Sequence, residues 1–146
     1  MKPRTLVLSV SLLALLLLGF VAYKAINFSA GMCGKSLIAQ ESSPDHHASV
    51  VVFEADCGAT TDFSTAVALL YAGEHLGQRP ARLLLVVDSD HGRAAQGPGG
   101  GPWVEAHWAG PDSIVIHYDA AARVFRQTTV FDGVRVVQIA VQRVGA

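Results

Sequence analysis

The run Asp88-Ser89-Asp90-His91-Gly92 puts two carboxylates at alternate positions beside an imidazole. That spacing opens a calcium loop, in which side-chain oxygens converge on one hard cation. The later ligands and the closing bidentate Glu are missing within twelve residues, so loop solvation explains the run better than a bound ion. A second concentration is Asp56-Cys57-Gly58-Ala59-Thr60-Thr61-Asp62. Asp and Thr side chains satisfy backbone groups in turns, and turn chemistry accounts for every residue type in it. Together the two stretches nominate Asp56, Thr60, Thr61, Asp62, Asp88, Asp90 and His91 as the candidate binding surface.

The remaining reactive residues do not assemble into a site by spacing alone. Six histidines invite a metal centre, but adjacent His46 and His47 point apart on an extended segment. His107 and His117 flank Ala109-Gly110-Pro111-Asp112. Pairing mirrored about Gly110 and Pro111 sets them on opposite faces of a hairpin, so no metal ligand set is expected. The glycine-rich segment 96–102 (QGPGGGP) leads into Trp103-Val104 and lacks the helix N-terminus that makes glycine loops anion sites. It reads as a flexible lid or spacer. Ser64 and Thr65 carry hydroxyls with no base placed beside them, and there is no Gly-x-Ser-x-Gly elbow. With no nucleophile, base and orienting group in view, a binding role is favoured over an enzyme, and no catalytic residue or cofactor is assigned.

The elements that must carry these residues begin with a leader. Thr5 to Tyr23 (TLVLSVSLLALLLLGFVAY) holds no charge over 19 residues. As a helix it would be roughly 28 Å long, close to the hydrocarbon thickness of a bilayer. Lys2 and Arg4 precede it, which keeps the N-terminus inside and sends the rest across. Two outcomes stay open: an uncleaved single-pass anchor, or a signal peptide cut near Ser29-Ala30-Gly31. Either way residues 33–146 are expected beyond the inner membrane, tethered to it or released from it. Those residues carry eight Lys or Arg against twelve Asp or Glu, a net charge of −4, which leaves no electrostatic footprint for nucleic acid.

Gly34-Lys35-Ser36 ends as a phosphate-binding loop ends, but the motif requires its first glycine at position 29, which is Ser29. What precedes it is a membrane helix, not a sheet strand, so no nucleotide is expected. Ala30-Gly31-Met32 before Cys33 lies too far from the apolar run for a lipobox. Cys33 and Cys57 are the two cysteines, and in an oxidising compartment they permit one intramolecular disulfide. Such a staple would tie the start of the domain to the end of its first strand.

Past a polar entry segment (35–48) come runs rich in β-branched residues: 49–55, 63–71, 81–88, 103–108 and 113–118. Two more strands flank Asp132-Gly133, the sequence of a two-residue type I′ turn. With Phe131 opposite Val134, the face bearing Phe125, Phe131, Val134, Val136 and Ala140 is expected in the core. The arginine face (Arg126, Arg135, Arg143, with Val124, Val130, Val137, Ile139 and Val141) is then expected to be partly exposed to solvent. The expected fold is all-β: a small antiparallel meander of about seven strands, a sandwich or open barrel.

Ser43-Pro44-Asp45 followed by VVVFEADCGATTDFSTAV resembles a family of small exported bacterial proteins of unknown function. Their pattern runs approximately SPDG, then AVVFERDCGATTGFST, then a Gly-rich segment near a DGDHG-like stretch. The likeness covers Cys33 to about Trp103. This chain departs from it with His46 at the usual turn glycine and Asp62 at a second one. The resemblance implies export, the disulfide and a β fold, and no activity. The expected role is a membrane-anchored periplasmic module that binds an envelope protein or component through its loops or an exposed strand edge. The alternative is a small envelope hydrolase or metal-dependent enzyme built on residues 88–92.

Overall fold

The computed structural model describes residues 13–21, 23, 34–56, 58, 62–77 and 82–143. The chain divides into two units, Met1–Cys33 and Gly34–Ala146. In the first, residues 13–21 are helical, and Leu13, Leu15, Leu16, Leu17 and Leu18 are 56–73% exposed. No helix among the described residues is long and apolar enough to cross a membrane. Cys33, Cys57, Thr60 and Thr61 lie outside the described residues.

The second unit is built from nine strands among the described residues. They are β1 (Gly34–Ser42), β2 (Ala48–Asp56), β3 (Ser64–Tyr71), β4 (Arg82–Asp88), β5 (Val104–Gly110), β6 (Ser113–Asp119), β7 (Arg123–Gln127), β8 (Val130–Phe131) and β9 (Val134–Val141). One sheet runs β1-β2-β3-β4-β7, the other β5-β6-β9-β8. β2, β3 and β4 are dense in Val, Leu and Ala and are buried almost throughout, as continuous apolar runs require. Val50, Val52, Val67, Leu69, Leu85 and Val87 of the first sheet share one core with Val104, Ile114, Ile116 and Val136 of the second. The opposite face of the first sheet buries Val51, Phe53, Ala66, Ala68 and Leu70, with Leu76 packed on them.

Four features depart from the sequence reading. The polar segment after Cys33 is a strand, β1, paired along β2 from Gly34↔Asp56 to Ser42↔Ser49. It is an edge strand that is mostly exposed, so it needs few apolar side chains. The meander is broken: β7 crosses to pair with β4, and β9 runs parallel to β6. The C-terminal hairpin is therefore only two residues deep. Phe131 does pair with Val134, and Asp132 and Gly133 adopt φ 49° and 82°, as a type I′ turn demands. Beyond it the chain parts at Thr128 and Thr129, where Gln138 Nε2 donates to the carbonyls of Leu84 and Thr128.

The expected core face consequently splits. Val136 is buried and Phe131 and Val134 pack against the core. Phe125 is 61% exposed, lying under the guanidinium of Arg123, and Ala140 is also exposed. The fourth departure is the glycine-rich segment, which is a packed strap and not a loose lid. Thr65 Oγ1 donates to Pro102 O at 2.8 Å, and a Cβ added at Gly101 would lie 2.6 Å from that hydroxyl. At Gly99 it would lie 2.8 Å from Glu54 Oε2. At Gly101, where the Ser64 backbone would also lie 3.1 Å from the added Cβ, only glycine permits so close an approach to the sheet.

Candidate functional site

The fold gathers part of the nominated surface. Asp62 accepts the backbone N–H of His91 at 2.9 Å, so a residue 29 positions earlier closes over the 88–92 turn. Asp90, His91 and Gly92 follow one another at φ 46°, 60° and 82°, three consecutive left-handed residues. Two of them are not glycine, and such conformations cost of order 1 kcal/mol each. Asp56, at the end of β2, lies apart in its contacts: its Oδ1 accepts the N–H of Gly58.

The charges of that turn are answered from inside the domain. Asp88 is 4% exposed. Its Oδ1 accepts Arg123 Nε at 3.1 Å and the N–H of Asp90 at 3.0 Å, while Oδ2 accepts Arg123 Nη2. Burial pushes the Asp88 carboxyl up, but the hydrogen bonds and charge of Arg123, with the Asp90 N–H, outweigh it and hold it below the usual carboxylate value. Asp90 pairs with Arg93 at 2.6 Å. Among the described residues no three His, Cys, Asp or Glu side chains converge on a position for one metal ion.

A second place brings together residues that spacing did not connect. A cleft of about 210 Å³ opens among Asp45, His47, Tyr71, Trp108, Asp132 and Val134, at the end of the domain where the β1–β2 turn meets the β8–β9 turn. Tyr71 Oη donates to Asp132 Oδ2. That bond, reinforced by partial burial, raises the phenol above its usual value. Asp45 Oδ1 accepts Ser43 Oγ at 2.5 Å and the N–H of His47 at 3.2 Å, and these bonds lower its carboxyl. The second oxygen of each carboxylate makes no hydrogen bond among the described residues. Trp108 is fixed by its indole N–H, which donates to Glu41 O at 3.2 Å. Among the described residues no Lys or Arg lines the cleft; Arg82 stacks on the Tyr71 ring at 4.5 Å and pairs with Glu74 at 2.5 Å, its charge also reaching Asp132.

Two signals for this cleft were present in the sequence. One was the Ser-Pro-Asp turn and the other Asp132-Gly133, but nothing local said that they meet. The turn also explains a departure noted above: His46, standing at the usual glycine, has φ 60°.

The third finding overturns an expectation about the histidines. β5 and β6 pair as Val104↔Tyr118 and His107↔Val115, one residue away from the mirrored register. Pro111 and Asp112 make the turn, with an irregularity between Trp108 and Gly110. A one-residue slip turns every side chain to the other face. His107 and His117 therefore share a face and stack, with ring centroids 5.5 Å apart and an interplanar angle of 19°.

No family model matches this chain, and no curated protein and no solved structure is found to be similar to it.

Proposed function

We propose that this chain is a membrane-anchored module of the bacterial envelope whose β domain binds an amine-bearing ligand or partner group in the Asp45–Asp132 cleft. The observation that carries this reading is the charge arrangement there. Two carboxylates, each with one oxygen that accepts no hydrogen bond among the described residues, line the cleft together with a Trp and a Tyr, and no described Lys or Arg lines it. An ammonium group gains from both the carboxylates and the aromatic faces. The shared core of the two sheets supports reading the domain as a small β-sandwich. The hydrolase alternative is weakened because Asp88 and Asp90 are already matched by Arg123 and Arg93. A carboxylate held in a salt bridge is a poor base and a poor metal ligand.

The anchor reading rests on the uncharged Thr5–Tyr23 run and on the exposed leucines of the described helix. The disulfide reading is supported by the β1–β2 register, whose last pair is Gly34↔Asp56. The two cysteines immediately flank that pair in the sequence, and an exported chain with two cysteines permits one disulfide.

The test is a titration of the full chain in detergent with spermidine, glucosamine and neutral glucose, followed by amide NMR shifts. Shifts at Tyr71, Trp108 and Asp132 with the two amines, and none with glucose, are expected. Asp132→Asn should remove them. Shifts that track glucose equally, or no cleft shift with any probe, would reject an amine-binding site.

A further inference from the structure

We infer that His107 and His117 form a two-imidazole site for a borderline divalent transition-metal ion such as Zn²⁺, Ni²⁺ or Cu²⁺. It lies on the face of the second sheet turned away from the core. Val104, Ala106, Ile114 and Ile116 point inward from β5 and β6, so Glu105, His107, Val115 and His117 point outward. His107 is exposed and His117 half-buried. β6 is paired on both sides, antiparallel to β5 and parallel to β9, so the backbone of His117 is held by two ladders and that of His107, on the edge strand β5, by one. Ligands on paired strands are better preorganised than ligands on loops.

Imidazole suits zinc, copper and nickel, and each ring nitrogen sits about 2.0–2.1 Å from bound zinc. Two imidazoles on one tetrahedral ion then have ring centres about 5 Å apart, close to the distance between these rings. The stacked rings must rotate about χ2 to turn a nitrogen edge toward a common point, a motion the exposed His107 can make. Glu105 stands directly across the ladder from His117, but its Oε1 accepts the indole N–H of Trp103 at 3.2 Å. Among the described residues no third His, Cys, Asp or Glu converges with the two rings, so the ion would have two protein ligands, its other positions open to water or to a group supplied by a partner. This is a different place from the cleft and does not depend on it.

The experiment is calorimetric titration of the full chain with ZnCl₂, alongside His107→Gln, His117→Gln and a His75→Ala control. One ion per chain is expected. Each glutamine variant should weaken binding by at least the 10–100-fold that follows loss of a metal site's outer-shell partner, about the least that losing a ligand can cost. The control should bind as the parent does. Dilute Cu²⁺ should broaden the imidazole NMR signals of His107 and His117 before those of the other histidines. Unchanged zinc affinity in both glutamine variants, with their melting curves intact, would overturn the site, as would broadening that starts elsewhere.

Discussion

Two pairs of aspartates can be set side by side. Asp88 and Asp90 lie two residues apart in a sequence that looks like an ion site, and the fold answers both with arginines. Asp45 and Asp132 lie 87 positions apart in two unrelated turns, yet the fold brings them to one cleft, and among the described residues one oxygen of each accepts no hydrogen bond. The first pair holds a turn together. The second has charge left for something outside the domain. Closeness along the chain therefore says little about whether a carboxylate is free, because the cation that answers it can come from 35 residues away, as Arg123 does for Asp88.

The largest effect that would sharpen this contrast is expected at Asp88. Asp88→Ala removes three hydrogen bonds from a nearly buried carboxylate, and Arg123, with its side chain 45% exposed, keeps solvent as a substitute partner. A loss of about 2 kcal/mol in urea unfolding is expected, below the usual cost of stranding a fully buried charge. The Asp88 carboxyl is held below its unfolded value, so its contribution is present above about pH 4 and disappears as pH falls through the lowered folded value. The stability gap between parent and variant should close on acidification below pH 4. A gap that persists undiminished in acid would mean that the ion pair is not its source.

How far the sequence discloses this arrangement depends on how local each feature is. Asp132-Gly133 is legible because a two-residue turn with both φ positive is a nearest-neighbour property. The buried runs of β2, β3 and β4 are legible for the same reason. The β5–β6 register is not, since Pro111 and Asp112 form the turn and an irregularity at Ala109 absorbs one residue. That single residue decides whether His107 and His117 meet. The partner of β7 is less legible still. A long alternating run after Asp119 reads as a hairpin, and only the tertiary bonds of Gln138 reveal that the chain leaves for the other sheet. Of the candidate site, the Asp88–His91 turn was visible as a motif; its arginines and the whole Asp45–Asp132 cleft were not.

On the cleft side the expected effects are smaller. His46 holds φ 60° in the turn that presents Asp45, and His46→Gly should stabilise the domain by about 0.5–1 kcal/mol, the relief of the left-handed backbone less the entropy of glycine. Calorimetric melting would read it, and a loss of stability would show that the imidazole itself supports the turn. Tyr71→Phe removes the bond to Asp132 at a partly exposed site and should cost about 0.5–1 kcal/mol. Because Asp132 raises the Tyr71 phenol, this contribution is complete below pH 10 and is lost as pH rises through the higher folded value. Ultraviolet titration should show one tyrosine ionising later than the rest, and that late step should vanish in the variant.

The smallest effect tests the comparison most directly. Arg93 is 73% exposed and meets Asp90 three residues away, so the pair is a surface salt bridge in high dielectric. Arg93→Ala should change stability by no more than about 0.5 kcal/mol, and by less in 0.5 M salt. Asp90 would then lose its ion-pair partner and keep only the longer-range charge of Arg123, in a turn already bent into three left-handed residues. If the 88–92 turn is purely structural, adding calcium to this variant should leave its melting temperature where it was. A calcium-dependent rise would mean that Arg93 stands in for a cation, and the line drawn between the two aspartate pairs would move.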